Sequence, residues 1–115
     1  MAITDVHGTQ TATITTEHTL ADTSAAGIYV LTVDLNDLSA GDVLELRIYK
    51  MVLAGGTRRV VFNVTYRDLQ HEGKRIAVSV PVSTALSDSG AIRATLKQTA
   101  GSAGRSFPWS LEKFA

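Results

Sequence analysis

The side chains of this 115-residue chain most readily put to chemical work are its three histidines, His7, His18 and His71, which could ligate a metal or carry protons near neutral pH. No two of them stand in the His-x-His or His-x-x-x-His spacing that brings two imidazoles to one ion. They fall on expected loops and strand ends, where the expectation is solvated side chains and no metal site. Carboxylates must converge in a pocket to do acid–base work. Here Glu45 shares a strand face with Arg47, while Asp34, Asp37 and Asp42 flank a turn, where aspartates cap backbone amides. No Gly-x-Ser-x-Gly elbow is present, and Ser87-Asp88-Ser89-Gly90 has the composition of a turn. Gly55-Gly56 and the stretch from Gly101 to Gly104 are not followed by a helical pattern, so neither fits a phosphate cradle. The expectation is a protein that is not an enzyme, with no catalytic residue, no cofactor and no small-molecule substrate.

Charge points the same way. Eleven basic and eleven acidic residues cancel, leaving no long-range field to gather nucleic acid or anionic lipid. Arg58-Arg59 and Lys74-Arg75 would form a small basic patch if their strand ends were neighbours, and otherwise they keep strand ends soluble. Asn63-Val64-Thr65 matches a glycosylation sequon but falls mid-strand in a chain whose first residues lack a secretory pattern. Trp109 is expected as a core indole of the last strand. No run approaches a membrane span, no nucleic-acid or membrane partner is expected, and synthesis in the cytoplasm follows. The absence of cysteine excludes disulfides and thiolate metal sites.

The elements that must position these groups are strands. Apolar residues make up 44% of the chain and charged residues 19%, a balance that folds rather than one that stays disordered. The dominant pattern is a period of two, which sends successive side chains to opposite faces. It places Tyr29, Leu31, Val33 and Leu35 on one face, then Leu44, Leu46 and Ile48, then Val60, Phe62, Val64 and Tyr66. It continues with Ile76, Val78, Val80 and Val82, then Ile92, Ala94 and Leu96, then Phe107, Trp109 and Leu111. A weaker run from Gln10 to Thr16 turns Ala12 and Ile14 inward. Ala54-Gly55-Gly56-Thr57 is a hairpin turn, Asn36 to Asp42 a longer one, and Ser83 to Ser89 has room for one helical turn. Seven to eight short strands, each with one buried face, predict an all-β antiparallel sandwich, jelly-roll-like. Pro81 and Pro108 fall on outward phases and mark their strands as candidate sheet edges.

Residues 1–26 form a threonine-rich arm with few large apolar groups, expected to be either mobile or ordered against a partner, ahead of a sandwich domain at 27–115. The candidate interface residues are Thr11, Thr13, Ile14 and Thr15 on that arm, Ile28 and Val30 on an outward strand phase, and Arg58, Arg59 and Val61 beside the hairpin.

Three stretches carry a resemblance: Leu38-Ser39-Ala40-Gly41-Asp42-Val43-Leu44-Glu45-Leu46-Arg47, Gly55-Gly56-Thr57-Arg58-Arg59-Val60-Val61-Phe62, and Ala94 to Gly101 running into Arg105-Ser106-Phe107-Pro108-Trp109-Ser110-Leu111. From about residue 27 onward the chain resembles small β proteins encoded among the structural genes of tailed bacteriophages. The resemblance implies a virion component, a capsid decoration or cement protein on the head surface. Its implied partners are the major capsid protein and copies of itself, in a homo-oligomer on the shell. A place in the tail or at the head-to-tail connection, and a soluble module binding carbohydrate or a host surface, are the alternatives.

Overall fold

A computed structural model describes residues 3–114. It contains nine strands: β1 (Ile3–Thr11), β2 (Glu17–Asp22), β3 (Gly27–Asp34), β4 (Val43–Met51), β5 (Arg58–Arg67), β6 (Ile76–Val78), β7 (Val82–Thr84), β8 (Ile92–Ala100) and β9 (Ser106–Phe114). All pairings are antiparallel. One sheet runs β1-β9-β3-β6, with β7 also on β3, and the other runs β2-β8-β4-β5. Counting β6 and β7 as one interrupted strand gives eight strands in two four-stranded sheets. Of their connections, only the β4–β5 hairpin stays within a sheet. This is the jelly-roll sandwich that the period-two pattern predicts.

The core lies between the sheets. Leu31, Val33, Leu35, Leu38, Leu44, Leu46, Ile48, Ile92, Leu96 and Phe107 are fully buried, and Trp109 packs on this cluster from its margin. Each buried side chain of this kind contributes about 1.5–3 kcal/mol relative to exposure. Polar anchors fix the loops at one end. Asp42, fully buried, accepts from the Ser39 amide at 2.9 Å and from Arg105 Nε at 2.9 Å, joining the β3–β4 loop to the β8–β9 turn. Gln98 donates to the Ala103 carbonyl and accepts from the Arg105 amide in the same turn. Gly101 sits at φ +142°, and a side chain there would run into the Asp42 carboxylate.

The structure departs from the sequence expectations at several places. The run Ile76, Val78, Val80 faces outward, and Ala77 and Ser79 face the core instead. Between the pairs Thr32↔Val78 and Tyr29↔Val82, β3 has Val30 and Leu31 while the opposing chain has Ser79, Val80 and Pro81. That extra residue is a bulge, and it returns only Val82 to the inner phase. Ser79 bridges the gap: its amide donates to the Leu31 carbonyl and its hydroxyl accepts from the Leu31 amide. Val60 likewise leaves the inner set, because a bulge opposite Ile48 and Tyr49 pairs Val60 with outward-facing Tyr49. Pro108 is not on an edge strand, since β9 lies between β1 and β3; it sits one residue beyond the last β3–β9 pair, Val33↔Trp109, where no amide is required. Pro81 does mark an edge. Finally, Ser83 to Ser89 holds no helical turn; Val82–Thr84 is β7, and the short 3-10 turn lies at Glu72–Lys74.

Of the threonine-rich stretch, residues 3–11 and 17–22 are β1 and β2, edge strands of the two sheets paired with β9 and β8 of the same chain. The Gln10–Thr16 run is not one strand but the end of β1 and the turn into β2. Ala12 is buried there, its amide donating to the Arg105 carbonyl, and Ile14 is half-buried.

Candidate functional site

The sequence-derived interface residues land in three places. Thr11, Thr13, Ile14 and Thr15 occupy the β1–β2 corner. The Thr11 hydroxyl bonds Ser106 Oγ at 3.0 Å, the Thr13 amide donates to His18 Nε2, and Thr15 takes a left-handed φ of 70°. His18 is therefore a half-buried strand residue with a structural bond rather than a free loop histidine. Ile28 and Val30 lie on the outer face of β3. Arg58, Arg59 and Val61 open β5. The two basic pairs stay apart: Arg58 pairs with Met51 at the hairpin end, while Arg67 pairs with Val43 at the far end, near which Arg75 holds Asn36 Oδ1 and the Gln70 carbonyl. Ten extended residues separate the two ends, about 30 Å.

The outer faces of the two sheets differ in kind. On β2-β8-β4-β5, Glu17 accepts from the Tyr49 hydroxyl and from Thr95 Oγ1, both at 2.6 Å, with Arg47 at 3.8 Å. Arg47 pairs with Glu45 at 2.7 Å, the face-sharing read from the sequence, and Arg93 grips both carboxylate oxygens of Asp22 at 2.6 and 3.0 Å. Partial burial pushes the Glu17 carboxyl up, but the hydrogen bonds from Thr95 and Tyr49 and the charges of Arg47 and Lys97 outweigh it and hold it below the ordinary range. Asp22 is held low by the hydrogen bond from Arg93, against partial burial. Glu17, Tyr49, Arg93 and Thr95 floor an open depression of about 500 Å³, with Thr19, Thr57 and Arg58 on its walls. Glu17 and Arg93 in it are engaged by Arg47 and Asp22 beside it, and Arg58 reaches the Gly90 carbonyl. Among the described residues there is no group of three or more His, Asp or Glu placed to hold a metal ion.

On β1-β9-β3-β6 the outward phase is mixed: Asp5, His7, Ser110 and Glu112 lie on the β1–β9 side, and an apolar strip follows the β3–β6 side. Cross-strand pairing sets Ile3, Phe114 and Ile28 in one row, with Val30 next along β3 and then Val78 opposite Thr32 and Ile76 opposite Asp34. Ile28 is 43% exposed, Ile76 55%, Val78 61% and the bulged Val80 55%. The β6 bulge delivers half of this patch, so sequence periodicity assigned Ile28 and Val30 to it but sent Ile76, Val78 and Val80 to the core. Pro81, which breaks the run, was the available signal.

With this geometry in place, comparison with known proteins bears on the architecture. No protein-family profile matches the chain, and no curated protein does. A solved chain from Bacillus endospore appendages, described as forming a novel family of disulfide-linked pili, is similar in shape. The likeness covers 97% of this chain and 86% of that one, with a TM-score of 0.54 and 18% identity. At that identity it speaks for the sandwich fold alone.

Proposed function

We propose that this protein is a non-catalytic structural component of a bacteriophage particle, a decoration protein that docks on the assembled head shell. The observation that carries the reading is the apolar strip on the outer side of β3 and β6, Ile28, Val30, Ile76, Val78 and Val80, on a chain whose other outer face carries ion pairs across its strands and exposes Val60 and Val61 only at the β5 edge. Contiguous exposed apolar side chains rimmed by polar ones mark protein contact surfaces. A protein that binds only where shell subunits meet stabilises the shell by its preference for the assembled state. The resemblance of the three quoted stretches to phage structural proteins supports the setting. Any assembly through this chain does without disulfides, because it has no cysteine.

The test is quantitative mass spectrometry and heat release on purified particles of the encoding phage. The expected result is a fixed ratio of this protein to the major shell protein, and shells that open at lower temperature when it is stripped and recover when it is added back. Its absence from heads, or its presence in tails alone, overturns the reading.

A further inference from the structure

A sandwich of two open sheets has four edge strands, each a potential template for another chain unless something spoils it. Three of the four are spoiled. β2 is six residues long with a register shift between Thr19 and Ala21. β5 has a bulge opposite Ile48 and Tyr49 and carries Arg58, Arg59 and Arg67. β6 and β7 are three-residue pieces split by the Ser79–Pro81 bulge. β1 has none of these devices. It is nine residues long, pairs with β9 without a register shift, and contains no lysine, arginine or proline.

Which of its backbone groups are free follows from Pro108. Proline has no amide, so the pair Thr9↔Pro108 is of the non-hydrogen-bonded kind, and alternation then directs Thr4, Val6, Gly8 and Gln10 toward β9. The amide of Ala12, next in that phase, does bond the Arg105 carbonyl at 2.8 Å. The N–H and C=O groups of Ile3, Asp5, His7 and Thr9 therefore point away from the sheet, along its free edge.

We infer that this edge pairs with the same edge of a second copy, antiparallel about a two-fold axis at Val6, so that two sheets join into one. The inference rests on the assembly reading for its setting, and the contact is read from β1 alone. In this register Asp5 faces His7 of the second copy and Ile3 faces Thr9, all residues whose backbone groups point outward. Shifting the axis to Asp5 would set two carboxylates opposite each other, and shifting it to His7 would set two imidazoles together. Only the Val6 register matches acid to base. Within one chain His7 Nδ1 already lies 2.9 Å from Asp5 Oδ2, so both groups are presented on the outer face where the copy's pair would meet them. Asp5 also stands opposite Glu112 of β9, a like-charged neighbour that a second imidazole would offset. Val6 supplies an independent reason: it shares the inner phase of Leu111, its partner on β9, yet it is 58% exposed at the sandwich rim. At the axis each Val6 covers the other.

The test uses the full chain, in which any introduced cysteine is unique. Val6→Cys places two thiols in a non-hydrogen-bonded pair across the axis and should give a disulfide dimer on mild oxidation. Gln10→Cys, on the same strand and phase but far from its own copy, should not. His7→Pro deletes an edge-facing amide and leaves the β9 ladder whole. By light scattering at about 100 μM, in the concentration range where modest interfaces fill, the unmodified chain should weigh twice 12.3 kDa and His7→Pro once, with equal Tm. A monomeric unmodified chain, a dimeric His7→Pro, or equal cross-linking of the two cysteine variants overturns the inference. These readouts need no shell, so their failure leaves shell docking standing, and a dimer that never enters particles would sink only the docking.

Discussion

The two outer faces of the sandwich are built by the same alternation of strand residues and end as opposite surfaces. On β2-β8-β4-β5 the outward side chains are matched across strands: Glu17 with Tyr49, Thr95 and Arg47, Glu45 with Arg47, Asp22 with Arg93. On β1-β9-β3-β6 the β1 and β9 side presents Asp5, His7, Ser110 and Glu112, while Ile28, Ile76, Val78 and Val80 along the β3–β6 side stay exposed. The difference teaches that the centre of the polar face holds its charges in cross-strand pairs. The apolar face keeps its large side chains in water, which favours a state in which they are covered.

The strongest way to break this contrast is to make the apolar face polar. Ile28→Asp with Val78→Asp is expected to weaken shell binding by roughly 30-fold or more, the scale of losing one central contact residue, with little change in Tm because both side chains are already half in water. Titration of purified shells with the double variant measures it. The converse change, Glu17→Ala, should leave shell binding intact. It strips Tyr49, Thr95 and Arg47 of their shared acceptor and costs about 1 kcal/mol, roughly 4 °C in Tm by calorimetry.

Acid sharpens the comparison further. Glu17 and Asp22 lie below their ordinary values of 4.5 and 3.8, so the stability they contribute is complete above those values and is lost as pH falls through the lowered folded ones. A double variant, Glu17→Gln with Asp22→Asn, should therefore show a flatter acid limb in a Tm–pH profile than the unmodified chain. The smallest effect is expected at Arg59, exposed at the start of β5. Arg59→Ala should stay within about 0.5 kcal/mol in stability and leave particle binding unchanged, because the second basic pair lies at the other end of the strand.

Much of this architecture was legible in residue types. The runs ending at Leu35, at Ile48, at Leu96 and at Leu111 all point their apolar members inward, because those strands are long and regular over the stretch that counts. Period-two reading failed where one strand held an extra residue. At Val60 and at Val80 a single insertion reverses the phase, and valine fits either side of a sheet well enough to hide the reversal. The threonine-rich start has little apolar area to bury. What holds β1 and β2 in place is instead main-chain pairing with β9 and β8, a contribution that composition does not reveal. Of the candidate contact residues, Ile28 and Val30 were visible as outward apolar positions on a regular strand. The arginine pairs were grouped by sequence chemistry, and only the length of β5 separates them.

The kink at Ser79–Pro81 reaches beyond local geometry. In polymer terms, a monomer with reactive groups at both ends grows into a chain, whereas a monomer with one such group stops after a single coupling. By closing the rim opposite β1, this one extra residue would leave that sheet, on the edge-pairing inference, a valence of one, with pairs rather than fibres as the product.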